Sequence, residues 1–272
     1  MKYKNILVLG SSGQIGNSLC NFLRKKNYNV FEFDIERIKN EDLRIKDVLD
    51  KILLDVDFVF FLAFDVGGSR YLEKLEKTFE FIENNSKIMV NTFESLNKSK
   101  KPFIFASSQM SNMSYSSYGV LKMLGEYYTK SLDGIVVKFW NVYGIETNEE
   151  KSHVITDFIK MSRNGKIKMR TDGEEFRQFL YADDCSEALE IMMNNYTDIN
   201  RGESIDITNF EWTKILDLAN IISNIQKCEV VKGESVDLQK DKQNEPNNYI
   251  LNYWRPKTSL EEGVKNILKE II

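Results

Sequence analysis

Leu7-Val8-Leu9-Gly10-Ser11-Ser12-Gly13-Gln14-Ile15-Gly16 is the stretch from which the rest of the chain is read. Apolar residues run into three glycines at the spacing G-x-x-G-x-x-G, and an amphipathic segment, residues 14–26, follows. In such a turn the first glycine permits the tight bend, the second lets backbone amides approach an anion, and the third lets the helix pack on the strand. The helix start supplies unpaired N–H groups and the positive end of a dipole. A glycine pattern alone is weak evidence; a strand before it and a helix after it make it a dinucleotide cradle. Gly10, Gly13, Gln14, Ile15 and Gly16 are its expected contacts.

Working outward, short apolar runs alternate with longer amphipathic ones. Strands are predicted at residues 5–9, 30–33, 58–63, 103–106, 135–139 and 204–207. Helices are predicted at 14–26, 45–53, 71–97, 117–132, 154–163, 183–194, 212–225 and 260–271. The strands are rich in Ile, Val, Leu and Phe with little polar alternation, as expected when helices cover both sheet faces. Such an order predicts right-handed crossovers and an α/β, doubly wound parallel sheet. After about residue 145 the rhythm loosens. The expectation is a dinucleotide-binding domain over roughly 1–145 and 179–208. A smaller, partly interleaved C-terminal substrate domain would take 146–178 and 209–272.

Composition narrows the function. The 272 residues carry 37 Lys+Arg against 41 Asp+Glu, a formal net charge of −4, which argues against a nucleic-acid binder. The longest strongly apolar run, Phe58 to Phe64, falls far short of the roughly 18–20 residues of a membrane span. Cys20, Cys185 and Cys228 lack metal-ligand spacing and fit a reducing cytoplasm. A single histidine, His153, makes a Ser-His-Asp triad or a multi-histidine metal site implausible; no metal is expected.

The second strand ends at Asp34, eighteen residues beyond Gly16. A carboxylate there accepts hydrogen bonds from ribose hydroxyls and repels a 2′-phosphate, which favours NAD over NADP. Arg37, close by, works against that preference. Asp42 and Leu43 are candidates for the adenine edge.

A second constellation lies downstream. The strand at 103–106 runs into Ser107 and Ser108, and ten residues on comes Tyr118-Gly119-Val120-Leu121-Lys122. On a helix, the i, i+4 spacing puts phenol and ammonium on one face. Tyr253 and Lys257 share that spacing, but Pro256 between them opposes a helix.

From these residues the chain resembles the extended short-chain dehydrogenase/reductase family, in its NAD-dependent nucleotide-sugar epimerase/dehydratase branch. Phe61-Leu62-Ala63 resembles the family's His-Leu-Ala-Ala segment, and Asn85 its helix asparagine. Phe139-Trp140-Asn141-Val142-Tyr143-Gly144 resembles Arg-x-x-Asn-Val-Tyr-Gly-Pro. Residues 173–184 resemble the Gly-x-x-x-Arg-x-Phe-x-Tyr-x-Asp-Asp stretch, and 254–263 the C-terminal Trp-x-Pro-x-x-x-Leu-x-x-Gly. There are departures. Phe61 replaces His, Lys138 replaces Arg, and Ile145 replaces Pro. Gln109-Met110 stands where 4,6-dehydratases carry Asp-Glu, which disfavours dehydration. A second diphosphate arginine is lacking around 231–248, leaving Lys240, Lys242 or Arg255 as substitutes.

The resemblance implies a Rossmann fold and hydride transfer with Ser108, Tyr118 and Lys122 as catalytic residues. Tyr118 would be the general base in oxidation, its pKa lowered by Lys122 and the nicotinamide charge. Ser108 would stabilise charge on the sugar oxygen, with Ser107 and Tyr115 as understudies. Lys122 would also hold the nicotinamide ribose, beside Leu62 and Ala63. Asn141 would orient the site or contact substrate. Arg177 would bind the nucleotide diphosphate, the alternative being a salt bridge to Asp183 or Asp184. The expected activity is at a sugar ring carbon, C4 first. A 4-epimerase leads, a C4 dehydrogenase or 4-ketoreductase is the alternative, and a non-catalytic cofactor sensor is remote. A homodimer through the helices containing Asn85 and Tyr118 is implied as well.

Overall fold

Strand β3 (Phe58–Phe61) is a run of four apolar residues, each with no exposed surface. Phe58 and Phe60 feed one apolar core, while Val59 and Phe61 feed another. A strand buried on both faces has to lie inside a helix-covered sheet. The computed structural model, which describes residues 2–146, 148–203, 205–235 and 244–270, has that arrangement.

In chain order β1 (Asn5–Leu9), α1 (Gln14–Lys25) and β2 (Asn29–Phe33) precede β3. Then come α2 (Ser69–Leu75), α3 (Phe79–Ser99), β4 (Phe103–Ser108), α4 (Ser117–Ser131) and β5 (Ile135–Phe139). The later part holds β6 (Asn141–Tyr143), α5 (Val154–Ser162), β7 (Lys166–Lys168), β8 (Phe176–Arg177) and β9 (Phe179–Tyr181). It continues with α6 (Ala182–Asn194), β10 (Ile205–Ile207), β11 (Thr213–Lys214), α7 (Ile215–Gln226), β12 (Glu229–Val231) and α8 (Leu260–Glu270).

Among the described residues the main sheet has the order β10-β5-β4-β3-β1-β2, and each pairing is parallel. The expected α/β, doubly wound parallel sheet is therefore present. From β2 the chain crosses back over β1 to reach β3, so a topological switch point lies between β1 and β3. Open α/β sheets bind ligands at the carboxyl ends of strands beside such a point. Residues of α1 and α6 cover one face of the sheet, and residues of α3 and α4 cover the other. A third apolar cluster, with Phe158, Leu218, Ile222 and Val264, joins α5, α7 and α8 to Tyr143 and Tyr181.

Two expected helices differ in kind, and a third, 212–225, begins at Ile215 because Thr213–Lys214 pair as a strand with Phe176–Arg177. Residues 45–53 form turns closed by a short 3-10 helix at Ile52–Leu54. Asp47 there adopts φ 60°, a left-handed conformation that an α-helix does not accommodate. The apolar spacing serves another purpose, burying Leu49 and Leu53 against the α3 core. The segment 71–97 is two helices. Thr78 takes an extended conformation and caps α3 by accepting from the Phe81 N–H at 3.3 Å. The predicted strand start at Ser204 and helix end at Ile271 lie outside the described residues.

Candidate active site

The glycine turn occupies the switch point. Gly10 has φ +84°, and a Cβ there would sit 2.7 Å from the Ala63 nitrogen. A Cβ on Gly16 would overlap the Gly10 carbonyl, which keeps α1 hard against the turn. Gly13 caps α1 in an extended conformation and has no side chain to fill the space. This backbone cradle at a helix start fits the pyrophosphate of a dinucleotide. The Gln14 amide bridges the Val142 carbonyl (3.3 Å) and the Gly144 N–H (2.6 Å), linking the turn to β6. Ile15 packs into the α1/α6 core.

At the end of β2 the Asp34 carboxylate accepts from the Ser12 and Glu36 backbone N–H groups, both at 2.9 Å. Arg37 is turned to acidic partners, Glu32 at 3.2 Å and Glu41 at 3.3 Å. Asp42 is forked by Arg44 at 2.9 Å, whose hydrogen bonds hold its carboxyl below the usual range. Leu43 is buried, and its carbonyl accepts from Asn91 at 3.0 Å. Asp42 and Leu43 thus make intramolecular bonds in the positions named for an adenine contact.

Ser108 ends β4, and Ser116 starts α4 by accepting from the Gly119 N–H at 3.2 Å. A Cβ on Gly119 would overlap the Met110 carbonyl. Glycine next to Tyr118 therefore lets α4 seat on the turn that leaves β4. Tyr118 and Ser108 are both buried. Lys122, one helical turn on and 3% exposed, donates to the Ala106 carbonyl at 2.7 Å. Its ammonium also lies 3.8 Å from the centre of the Phe64 ring.

Burial governs the titration of this pair. It pushes the Tyr118 phenol up to about 12, against a hydrogen-bonding contribution from Ser108 that lowers it. It pushes Lys122 down to about 7, opposed by the charge of Glu126. Lys122 is not among the groups that shift the Tyr118 pKa; burial and Ser108 are. Desolvation is the largest influence on both groups, and the ammonium lies 5.8 Å from the centre of the Tyr118 ring.

The understudies have other roles. Ser107 donates to Glu126 at 2.5 Å, and Glu126 pairs with Lys138 at 3.4 Å. Lys138, in the family's arginine position, therefore belongs to a Ser–Glu–Lys network in which Ser107 and Glu126 are buried. Tyr115 is 52% exposed and contacts the Met113 sulfur. No sequence signal tied Ser107 to Glu126, nineteen residues apart.

Asn141 donates from its side chain to the Gln178 carbonyl at 3.1 Å, bracing β6 against β9. Arg177 is half-buried on β8, and its Nη1 donates to the Phe176 carbonyl at 2.8 Å. Asp184 accepts from the Lys257 and Thr258 N–H groups at 2.8 Å and from the Thr258 hydroxyl at 3.0 Å. Trp254 donates to Glu187 at 3.1 Å. The C-terminal motif is thereby docked on α6, and Arg255 follows it to a shallow concavity lined by Ile191, Leu251 and Tyr253. Lys240 and Lys242 lie outside the described residues. Gln109 receives the Asn244 amide at 2.8 Å on its side-chain oxygen. His153 caps α5 and pairs with Glu146 at 2.5 Å. A further cluster missed in sequence follows β3, where Asp65 accepts from Tyr71 at 2.6 Å and Lys151 at 3.0 Å.

A parallel six-stranded sheet with this turn and this Ser–Tyr–Lys set defines the extended short-chain dehydrogenase/reductase class. The model of the NAD dependent epimerase/dehydratase family matches residues 6–208, and the chain belongs to that family. Over 96% of its length it is 26% identical to GDP-L-fucose synthase of Sinorhizobium fredii (strain NBRC 101917 / NGR234), spanning 93% of that protein. The fold is similar to that of GDP-mannoheptose C4 reductase from Campylobacter jejuni, solved with NADP bound. There the TM-score is 0.83 at 19% identity, covering 99% of this chain and 98% of that one. It is also similar to UDP-glucuronic acid 4-epimerase from Bacillus cereus, in complex with UDP-glucuronic acid and NAD. That TM-score is 0.81 at 24% identity, covering 98% and 100%. No helix among the described residues is long and apolar enough to cross a membrane.

Proposed function

We propose that this protein is a nucleotide-sugar oxidoreductase acting at a ring carbon, C4 first, with Tyr118 as its proton-transfer group. One observation carries the reading: Ser108, Tyr118 and Lys122 are buried together at the carboxyl end of β4. The glycine turn stands at the carboxyl end of the neighbouring part of the same sheet. A bound nicotinamide dinucleotide supplies the acceptor and donor of hydride. Gly10, Gly13 and Gly16 hold its pyrophosphate, Asp34 its adenosine ribose, and Lys122 its nicotinamide side, with Leu62 and Ala63 as the adjoining wall. Ser108 steadies the substrate oxygen while Tyr118 exchanges a proton with it. With its pKa pushed up by burial, the Tyr118 phenol carries its proton at neutral pH. A bound nicotinamide would supply positive charge that lowers the phenol pKa and so favours Tyr118 as the proton acceptor.

NAD is the proposed cofactor, because Asp34 stands at the ribose position while Arg37 is engaged by Glu32 and Glu41. A tightly held NAD suits a 4-epimerase, in which hydride leaves and returns within one turnover. The second reading is a C4 dehydrogenase or 4-ketoreductase, the reaction class named for the Campylobacter jejuni GDP-mannoheptose C4 reductase that shares this fold. Gln109, bonded to Asn244, offers no carboxyl for eliminating water. Arg177 is the proposed diphosphate contact, and residues 146–178 with 209–272 the proposed substrate-binding part. We also propose a homodimer through α3 and α4, whose outer faces expose Phe79, Val90, Leu124 and Tyr127.

Incubation with UDP-, GDP-, dTDP- and CDP-sugars, with products followed by NMR and nicotinamide absorbance recorded in parallel, tests the reading. An epimerase yields an isomer without net cofactor consumption, and a dehydrogenase or reductase changes the cofactor stoichiometrically. No conversion of any nucleotide sugar by a cofactor-loaded protein would overturn it.

A further inference from the structure

The family-like segment Phe61-Leu62-Ala63 continues into Phe64, where the resembling motif has a second alanine. This aromatic ring touches both halves of the Tyr–Lys pair. Its centroid lies 5.7 Å from that of Tyr118 in a near-perpendicular arrangement, and 3.8 Å from the Lys122 ammonium. Ala63, the residue before Phe64, is the one that Gly10 approaches. Phe64 is partly exposed while Lys122, whose ammonium lies over its ring, is buried.

We propose that Phe64 is a positioning residue that shields the Lys122 ammonium and must turn aside for a ligand to reach it. The proposal rests on the reading of Lys122 as the contact for the nicotinamide side of a dinucleotide. The ring's negative face attracts the cation, and its bulk keeps water away. These two effects act in opposite directions on the ammonium. Shielding disfavours the charged form, in keeping with a Lys122 pKa pushed down to about 7, whereas the π face favours it.

The other groups around Lys122 are accounted for. On α4 these are Tyr118 and Glu126, the latter paired with Lys138 of β5. From β4 come the Ala106 carbonyl and the Phe105 ring at 5.2 Å. After β3, Asp65 is bonded to Lys151 and Tyr71. Phe64 is thus the partly exposed apolar group against Lys122, and its side chain takes part in none of these hydrogen bonds or ion pairs.

The test uses full-length Phe64→Ala and Phe64→Leu proteins. The first readout is the NMR titration of the Lys122 Cε resonance, assigned by its loss in Lys122→Met. Alanine admits water and should raise the midpoint well above the wild-type value; leucine keeps the bulk, loses the π face, and should lower it or leave it. The same midpoint in Phe64→Ala as in wild type would overturn the shielding role. The second readout is binding of NADH and of ADP, which lacks the nicotinamide riboside. Phe64→Ala should bind NADH about thirtyfold more tightly, the scale of one desolvated cation–π contact, with ADP binding within about twofold of wild type. Unchanged or weaker NADH binding would show that the ring does not compete for the ammonium, and would overturn the proposal. Failure of wild type to bind NADH or NADPH would overturn the cofactor reading itself, while the titration still decides whether Phe64 shields Lys122.

Discussion

Ser12 donates its backbone N–H to the Asp34 carboxylate at 2.9 Å, so the glycine turn after β1 and the acidic end of β2 form one unit. A 2′-phosphate placed beside this carboxylate meets like charge, and Arg37 is held away by Glu32 and Glu41. NAD(H) should therefore bind more tightly than NADP(H) in calorimetric titration of the apo protein, and Asp34→Ser should narrow the gap. Equal or stronger binding of the phosphorylated cofactor by wild type would mean that an arginine reorients to the phosphate.

Arg177→Ala should weaken UDP and GDP binding while NADH affinity holds. A charge-assisted hydrogen bond contributes about 1.5–3 kcal/mol, which is roughly tenfold to a hundredfold in dissociation constant. Equilibrium binding of both nucleotides and NADH to one folded preparation checks it. Unaltered diphosphate binding would leave Arg177 as a brace of the β8–β11 pair.

Tyr118→Phe retains the ring that packs on Phe64 and removes the phenol oxygen. Single-turnover hydride transfer should fall by at least about 10²-fold, the lower range for loss of general acid–base help. Cofactor binding should stay near wild type, because the turn and Asp34 belong to other elements. Near-normal turnover would exclude Tyr118 as the obligatory proton-transfer group.

The depressed Lys122 pKa links folding to pH. Its folded value is about 7, against about 10.4 in an unfolded chain. Between these values the unfolded state holds a proton that the folded state lacks, so this residue makes stability rise with pH. Below about 7 both states are protonated and its penalty is fully present; above about 10.4 the penalty is gone. Urea denaturation should show wild type gaining on Lys122→Met from pH 7 upward. A constant difference across that window would mean that the ammonium is solvated.

Exposed Leu124 and Tyr127 lie one turn apart on α4. Apolar groups clustered on a helix pair mark an association surface. Wild type should run as a dimer in light scattering, and Leu124→Glu should shift it to monomer by placing an uncompensated charge in the interface. A wild-type monomer at micromolar concentration would dismiss this surface.

What sequence alone determined is local and periodic. A G-x-x-G-x-x-G turn between strand and helix, doubly buried strands such as Phe58–Phe61, and Tyr118 with Lys122 on one helical face are all written within ten residues or so. Each follows from backbone sterics or side-chain period, and together they fixed the fold class. Where a segment served burial without a helix, as at Leu49 and Leu53, the same apolar spacing misled, since periodicity reports which residues go inside and not the backbone that takes them there.

Tertiary structure decided the rest, because it depends on neighbours far apart in the chain. Only packing places Phe64 over Lys122, Glu126 between Ser107 and Lys138, and Asp184 under the Lys257–Thr258 backbone. Only packing sets the electrostatic sign at the site as well. From sequence, Lys122 and a nicotinamide charge are expected to lower the Tyr118 pKa; what the fold adds is burial, which raises it and pulls Lys122 down. Desolvation is a property of everything that surrounds a group, and no spacing along the chain encodes it.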